Sequence, residues 1–148
     1  MIRVKLLYEN AKVPKRATPG SAAYDLYCVA AFILDGQNSL QIVQTGVSLE
    51  DTSSKYWYQI LCRSSLAAKG VSVRGGVIDN DYRGEIKVIL FHSGQDSIHF
   101  KAGDRVAQLV VHEMCTPTFQ EVTEDLGTTE RGQGGFGSTN NKRKSETF

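Results

Sequence analysis

Gly75-Gly76-Val77-Ile78-Asp79-Asn80-Asp81-Tyr82-Arg83-Gly84-Glu85-Ile86-Lys87-Val88-Ile89-Leu90 is the stretch on which the fold class turns. The apolar pair Val77-Ile78 leads into Asp79, Asn80-Asp81 are turn formers, and Tyr82-Arg83-Gly84 starts a return strand. Ile86, Val88 and Leu90 then alternate with period two, as a strand with one buried face does. The stretch therefore predicts a β-hairpin.

The same period recurs outward in both directions, at Ile2/Val4/Leu6, Leu40/Ile42, Val47/Leu49 and Val71/Val73, while no segment carries a long apolar period of 3.6. Turn signals at Pro19-Gly20, Asp35-Gly36-Gln37-Asn38, Ser93-Gly94 and Lys101-Ala102-Gly103-Asp104 separate the runs at the spacing of a sandwich, jelly roll or barrel. The fold class is all-β, with one short helical turn expected near Ser65 to Lys69. From about Thr128 the composition shifts to a glycine-rich run around Phe136 that cannot bury a core of its own. We accordingly expect a β domain over residues 1–127 and a flexible C-terminal arm over 128–148.

The chain of 148 residues fits one domain, which at that size buries roughly 70% of the surface its unfolded chain exposes. Its 41% apolar and 22% charged content is ordinary for a globular protein. No apolar run approaches the roughly 18 residues of a membrane span, and the N-terminus lacks the pattern of a signal peptide. Cys28, Cys62 and Cys115 make neither an even disulfide set nor a metal cluster, which fits a reducing compartment. The expected location is intracellular, cytoplasmic or nuclear, in a host cell if the gene is viral. A net charge of +1, with Lys142-Arg143-Lys144 concentrated in the tail, excludes a general polyanion binder; neither a membrane nor a nucleic-acid partner is expected.

Four segments of the body, together with the arm, offer groups suited to a nucleoside phosphate. Asp25, between strand formers, could hold a hydrated Mg²⁺, an ion that keeps several waters and takes few carboxylates, or could be an ordinary strand-edge Asp. Cys62-Arg63-Ser64-Ser65 offers a guanidinium, two hydroxyls and backbone N–H groups as a phosphate cradle. A serine nucleophile is disfavoured there, since His92, His99 and His112 lie in strand-like stretches and read as ordinary surface or sheet residues. In the hairpin, Asp79 could activate water, Gly75 and Gly76 clear side chains from a ligand's approach, and Tyr82 could lie against a sugar, though a plain polar turn has the same composition. In the fourth segment Asp104 and Arg105 are expected to form a structural ion pair while Gln108 reaches toward phosphate. The arm adds Arg131 for charge and Phe136 for stacking.

Taken in order, Ala23-Tyr24-Asp25-Leu26-Tyr27, Arg63-Ser64-Ser65-Leu66-Ala67, Gly76 to Gly84, Gly103-Asp104-Arg105-Val106-Ala107-Gln108-Leu109 and Arg131 to Thr139 resemble the five motifs of trimeric dUTPases. The resemblance implies a jelly roll, or distorted β-barrel, and a homotrimer whose active sites are shared between subunits. It also implies Mg²⁺-assisted hydrolysis of dUTP to dUMP and pyrophosphate, which keeps uracil out of DNA and supplies dUMP for thymidylate synthesis. It makes Asp79 the catalytic base, which holds the 3′-hydroxyl and orients the water attacking the α-phosphorus, and places Tyr82 under the deoxyribose. Gly76, Val77, Ile78 and Asp79, with Lys87, would read the uracil edge. Arg63, Ser64, Ser65, Gln108 and Arg131 would contact phosphates, Phe136 and Gly137 would close over the base, and Asp25 would hold Mg²⁺ through a water.

Four departures from the family pattern stand out: Ala23 where Gly is common, Cys62 where Pro usually precedes Arg-Ser, His92 where Asn often ends the strand, and Asn140 where Gly is common at the end of the last motif. A dCTP deaminase of the same fold is disfavoured, because that chemistry relies on a Glu in the strand after the hairpin and this chain has no acid in the run after Glu85. An idle regulatory copy is disfavoured because each catalytic position is intact. Lys142-Arg143-Lys144 falls short of the usual run of about five to eight basic residues of an import or nucleic-acid patch and reads as a solvated tail.

Overall fold

The computed structural model describes residues 1–136. Within them lie β1 (Ile2–Leu6), β2 (Tyr24–Tyr27), β3 (Phe32–Leu34), β4 (Ser39–Gln44), β5 (Val47–Asp51), β6 (Tyr56–Leu61), the one-turn helix α1 (Ser64–Ala67), β7 (Val71–Arg74), β8 (Val77–Ile78), β9 (Lys87–His92), β10 (Ile98–Phe100) and β11 (Arg105–Glu113). All the pairings are antiparallel. A four-stranded sheet runs β2-β11-β6-β8, a three-stranded sheet runs β4-β9-β7, and β1-β5 and β3-β10 form two-stranded ribbons. This is the all-β fold that the period-two runs predict, and the single helical turn begins at Ser64, one residue ahead of the expected span.

Alternation decides what faces inward. On β9, Val88, Leu90 and His92 are buried while Lys87 is exposed, so each inward residue lies two positions from the last. Val88 and Leu90 join Leu26, Val43, Val47, Leu49, Tyr58, Ile60, Ile86, Val106 and Leu109 in one core. His92, read as an ordinary surface or sheet residue, is a sheet residue at the end of β9, and it is only 2% exposed. Its Nε2–H donates to the carbonyl of Asp96 at 2.9 Å, and its Nδ1 accepts from the amide of Gly94 at 3.3 Å. A neutral ring in the Nε2–H tautomer satisfies both partners, so the imidazole acts as a clamp on the turn after β9. The three cysteines are free thiols, as expected.

The chain divides into Met1–Cys115 and a second unit from Thr116 onward. The last strand of the first unit ends at Glu113, and the expected boundary at residue 127 lies inside the second unit. In that second unit the described residues contain no helix or strand. Turn-like bonds tie Gly132 N–H to Thr129 and Gly134 N–H to Arg131. No helix among the described residues is long and apolar enough to cross a membrane.

Candidate active site

Sheet pairing gathers three of the sequence-predicted segments at one end of the four-stranded sheet. Gln108 of β11 sits opposite Asp25 on β2 and opposite Leu61 on β6, and the chain leaves β6 directly into Cys62-Arg63. The Gln108 Nε2 donates to the Cys62 carbonyl at 2.9 Å, which fastens the start of the Arg63-Ser64-Ser65 turn to the neighbouring strand. Asp25 lies between two guanidiniums, with Oδ1 3.6 Å from Arg63 Nε and Oδ2 3.3 Å from Arg105 Nη1. Arg63 also reaches the Arg105 carbonyl at 3.4 Å. Ser64 and Ser65 stand exposed on the first turn of α1 beside this cluster.

This arrangement corrects the expected Asp104–Arg105 ion pair. The Asp104 Oδ2 instead accepts the backbone N–H of Lys101 at 2.8 Å and closes the turn into β11. Arg105 is free to turn toward β2, where a bulge between Arg105 and Ala107 shifts the register. A carboxylate that accepts from its own turn satisfies local N–H groups first, which is why adjacency in sequence did not become a pair.

The hairpin carboxylate occupies a different place. β8 has two residues, and Ile78 pairs with Tyr58 and Val77 with Gln59 on β6. Gly76 precedes it with φ +98°, and a Cβ there would lie 2.7 Å from the Ile60 carbonyl, while the Gly76 carbonyl accepts the Ile60 N–H at 2.8 Å. Only glycine suits both the angle and the approach. Asp79 then emerges exposed at the level of Trp57, and the two residues line a cavity of about 520 Å³ with Val77, Asn80, Asp81 and Met114. Behind the turn, Tyr82 lies over Gly84, where a Cβ would strike its hydroxyl at 2.4 Å, and that hydroxyl donates to the Glu85 carbonyl at 3.0 Å. Lys87 is exposed at the start of β9, its Nζ 3.9 Å from Glu85.

The register separates these two groups. From Trp57, beside Asp79, to Arg63 the chain advances six residues, which at about 3.3 Å per extended residue is roughly 20 Å. The structure thus brings Asp25, Arg63 and Gln108 together and leaves Asp79 and Tyr82 toward the other end of β6. In the second unit, Arg131 Nε donates to the Gly134 carbonyl at 2.8 Å and Phe136 is fully exposed with φ +49°. Gly137 lies outside the described residues.

Two residues matter here to which the sequence reading gives no part in the site, Asn80 being read only as a turn former. Asn80 and Asp51 are joined by a hydrogen bond from Asn80 Nδ2 to Asp51 Oδ2 at 3.2 Å. Asp51 is only 2% exposed. Its carboxyl is held far below the usual carboxylate range, first by the Ser53 hydroxyl and then, against the cost of burial, by the backbone N–H groups of Ser53, Lys55 and Tyr56. The Asp-x-Ser pattern at 51–53 signals a local turn, but nothing in it points to a partner 29 residues away.

A jelly-roll protein with a carboxylate-and-guanidinium cluster at one end of its four-stranded sheet is the class these features define. A profile of the dUTPase family matches residues 9–140. The deoxyuridine 5′-triphosphate nucleotidohydrolase of Yarrowia lipolytica is 43% identical over 140 residues, covering 93% of this chain and 88% of that protein. The enzyme of the same name from Monkeypox virus is 42% identical over 131 residues, covering 88% and 84%. Among solved structures, the Staphylococcus bacteriophage 80alpha dUTPase with dUPNHPP superposes with a TM-score of 0.84 at 25% identity, covering 93% of this chain and 97% of that one. The chain belongs to the dUTPase family.

Proposed function

We propose that this chain, a dUTP diphosphatase by family, hydrolyses dUTP to dUMP and pyrophosphate by water attack on the α-phosphorus, with Asp79 as the base. The observation that carries this reading is the split site, a glycine-backed hairpin carboxylate beside a cavity and a guanidinium-rich cluster toward the far end of the same strand. Asp79 accepts the 3′-hydroxyl of the sugar and aims the attacking water, taking its proton as a general base. Tyr82 packs under the deoxyribose and excludes a ribose. Backbone groups from Gly76 to Asp79 and at Lys87 read the uracil edge. Arg63, Ser64, Ser65 and Gln108 neutralise and orient the phosphates, and attack on phosphorus is mostly positioning plus charge neutralisation.

The roughly 20 Å between the two halves is further than a deoxyribose lies from the phosphates it carries. The site is therefore completed by another copy of the chain, which supplies the Arg63 cluster to its neighbour's Asp79 in a homotrimer. Arg131 and Phe136, followed by Gly137, belong to the arm that closes over phosphate and base.

Mg²⁺ is the cofactor in this reading. Among the described residues there is no cluster of three or more acidic, His or Cys ligands. That suits an ion which takes one carboxylate, through water, and completes its shell with substrate phosphates. Asp25 is the carboxylate in position, and the ion would supply charge neutralisation on the phosphate oxygens. The product feeds thymidylate synthesis, and removal of dUTP keeps uracil out of DNA.

The test is release of pyrophosphate from dUTP, UTP, dTTP and dCTP in parallel, with Asp79→Asn as control. Turnover confined to dUTP and lost in the variant is expected. Turnover that survives Asp79→Asn excludes Asp79 as the base.

A further inference from the structure

The hairpin that carries Asp79 has little backbone to hold it. Its strand β8 is two residues long, against six in β6, and Asp79 and Asp81 both stand exposed. Two paired residues fix the start of a turn and leave its tip to fray. The side chain beside Asp79 behaves differently. Asn80 turns inward, half-buried, and its Nδ2 donates both hydrogens, one to the Tyr56 carbonyl at 2.6 Å and one to Asp51 Oδ2 at 3.2 Å.

Asp51 is itself held rigidly. Oδ1 accepts the Ser53 amide at 2.9 Å and the Ser53 hydroxyl at 2.7 Å, while Oδ2 accepts the amides of Lys55 at 2.8 Å and Tyr56 at 3.1 Å. The carboxylate thus organises the β5–β6 turn and offers the amide of Asn80 a fixed anionic acceptor. On the other side of the tip, Arg83 Nη1 donates to the Asn80 carbonyl at 2.7 Å, and the Tyr82 N–H donates to the Asp79 carbonyl at 3.2 Å.

We infer that Asn80, anchored on Asp51 and the Tyr56 carbonyl, is the positioning residue that fixes the hairpin tip so that the neighbouring Asp79 carboxylate is aimed at the sugar and the attacking water. The inference rests on the reading of Asp79 as the base. Asn80 acts through Asp79 and not as a donor to substrate, since both its amide hydrogens are committed to the β5–β6 turn. An amide is the side chain this position needs: an aspartate of the same size would present a second carboxylate to Asp51 and a lone pair to the Tyr56 carbonyl.

Turnover of dUTP is measured in Asn80→Ala, in Asn80→Asp and in each combined with Asp79→Asn, with melting temperature recorded for all. Loosening a positioned group by about 1 Å costs on the order of 100-fold in rate, so kcat is expected to fall by roughly 10- to 100-fold in both single variants. KM for dUTP should change less than kcat, because the proposed phosphate contacts lie elsewhere and the uracil-reading backbone at Val77 and Ile78 is held by its pairing to β6. In the Asp79→Asn background the Asn80 changes should cost nothing further, because their effect passes through Asp79. Asn80→Ser, still a turn former but too short to span both acceptors, keeps the measurement available if alanine unfolds the tip.

A wild-type kcat in the Asn80 variants overturns the inference and leaves Asp79 as the base. So does a kcat loss that multiplies fully with that of Asp79→Asn, which marks a general structural role. Wild-type turnover by Asp79→Asn alone removes the reading of the base itself and the inference with it.

Discussion

Arg63 Nε lies 3.6 Å from Asp25 Oδ1, although the two residues are 38 positions apart and Asp25 is on β2 while Arg63 follows β6, a strand that is not β2's neighbour in the sheet. β11 lies between them, and its own Arg105 holds the second oxygen of the same carboxylate. Asp25 therefore orients the Arg63 guanidinium, which in our proposal meets phosphate, and is the carboxylate we propose to hold a hydrated cation. Asp25→Ala is expected to lower kcat/KM for dUTP on the order of 100-fold. It should also raise the Mg²⁺ concentration that gives half-maximal rate, as read from initial rates across a Mg²⁺ titration.

The proposed sharing of the site between subunits has a consequence that one chain cannot mimic. Asp79→Asn and Arg63→Ala homotrimers should each be nearly inactive. Unfolding and refolding the two together should restore activity, because mixed trimers contain sites with an intact Asp79 from one subunit and an intact Arg63 from another. Pyrophosphate release from the mixture checks this; a mixture as inactive as its parents argues that each site is built within a single chain.

Gly76 combines φ +98° with backbone of β6 where a Cβ would sit. Gly76→Ala is expected to cost about 1–3 kcal/mol in stability, from the angle together with the contact. It should also lower turnover, since the displaced segment leads directly into Asp79. Urea unfolding and kcat on the same preparation measure both.

Acid should weaken the β5–β6 turn. The Asp51 carboxyl is depressed in the folded state by the Ser53 hydroxyl first and by three backbone amides. A group with a lowered folded pKa contributes stability above its unfolded value, near 3.9, and loses it as pH falls through and below that value. The melting temperature should be insensitive to this group at neutral pH and should fall below about pH 4. Asp51→Asn should flatten that acid limb while lowering stability at pH 7, as thermal melts from pH 3 to 7 would record.

The Tyr58 hydroxyl is buried without a hydrogen-bond partner among the described residues, and burial pushes the phenol's pKa up. Tyr58→Phe removes an unsatisfied group and leaves the ring in the core. Stability is expected to be unchanged or to rise by about 1 kcal/mol in chemical denaturation, the opposite of the usual result for a core substitution.

Much of this was legible in the chain itself. Strand residues reveal themselves because alternation is a local property: Val88 and Leu90 face the core for the same reason that they lie two residues apart. The segments around Asp25, Arg63, Asp79 and Gln108 were legible as motifs, because the proposed phosphate site calls for those side chains and the close backbone approach at Gly76 calls for glycine. Residue types, period and order along the chain together determined the all-β class and the candidate residues.

Tertiary structure decided who meets whom. Asp25 met Arg63 and Arg105, while Asp104, the adjacent choice for Arg105, closed its own turn. Asn80 found Asp51, and His92 became a buried clamp. The order β2-β11-β6-β8 put Asp79 and Arg63 toward opposite ends of one strand. These outcomes depend on which strands pair and in what register, and register is set by burying one face across the whole sheet, a cooperative property that no local stretch carries.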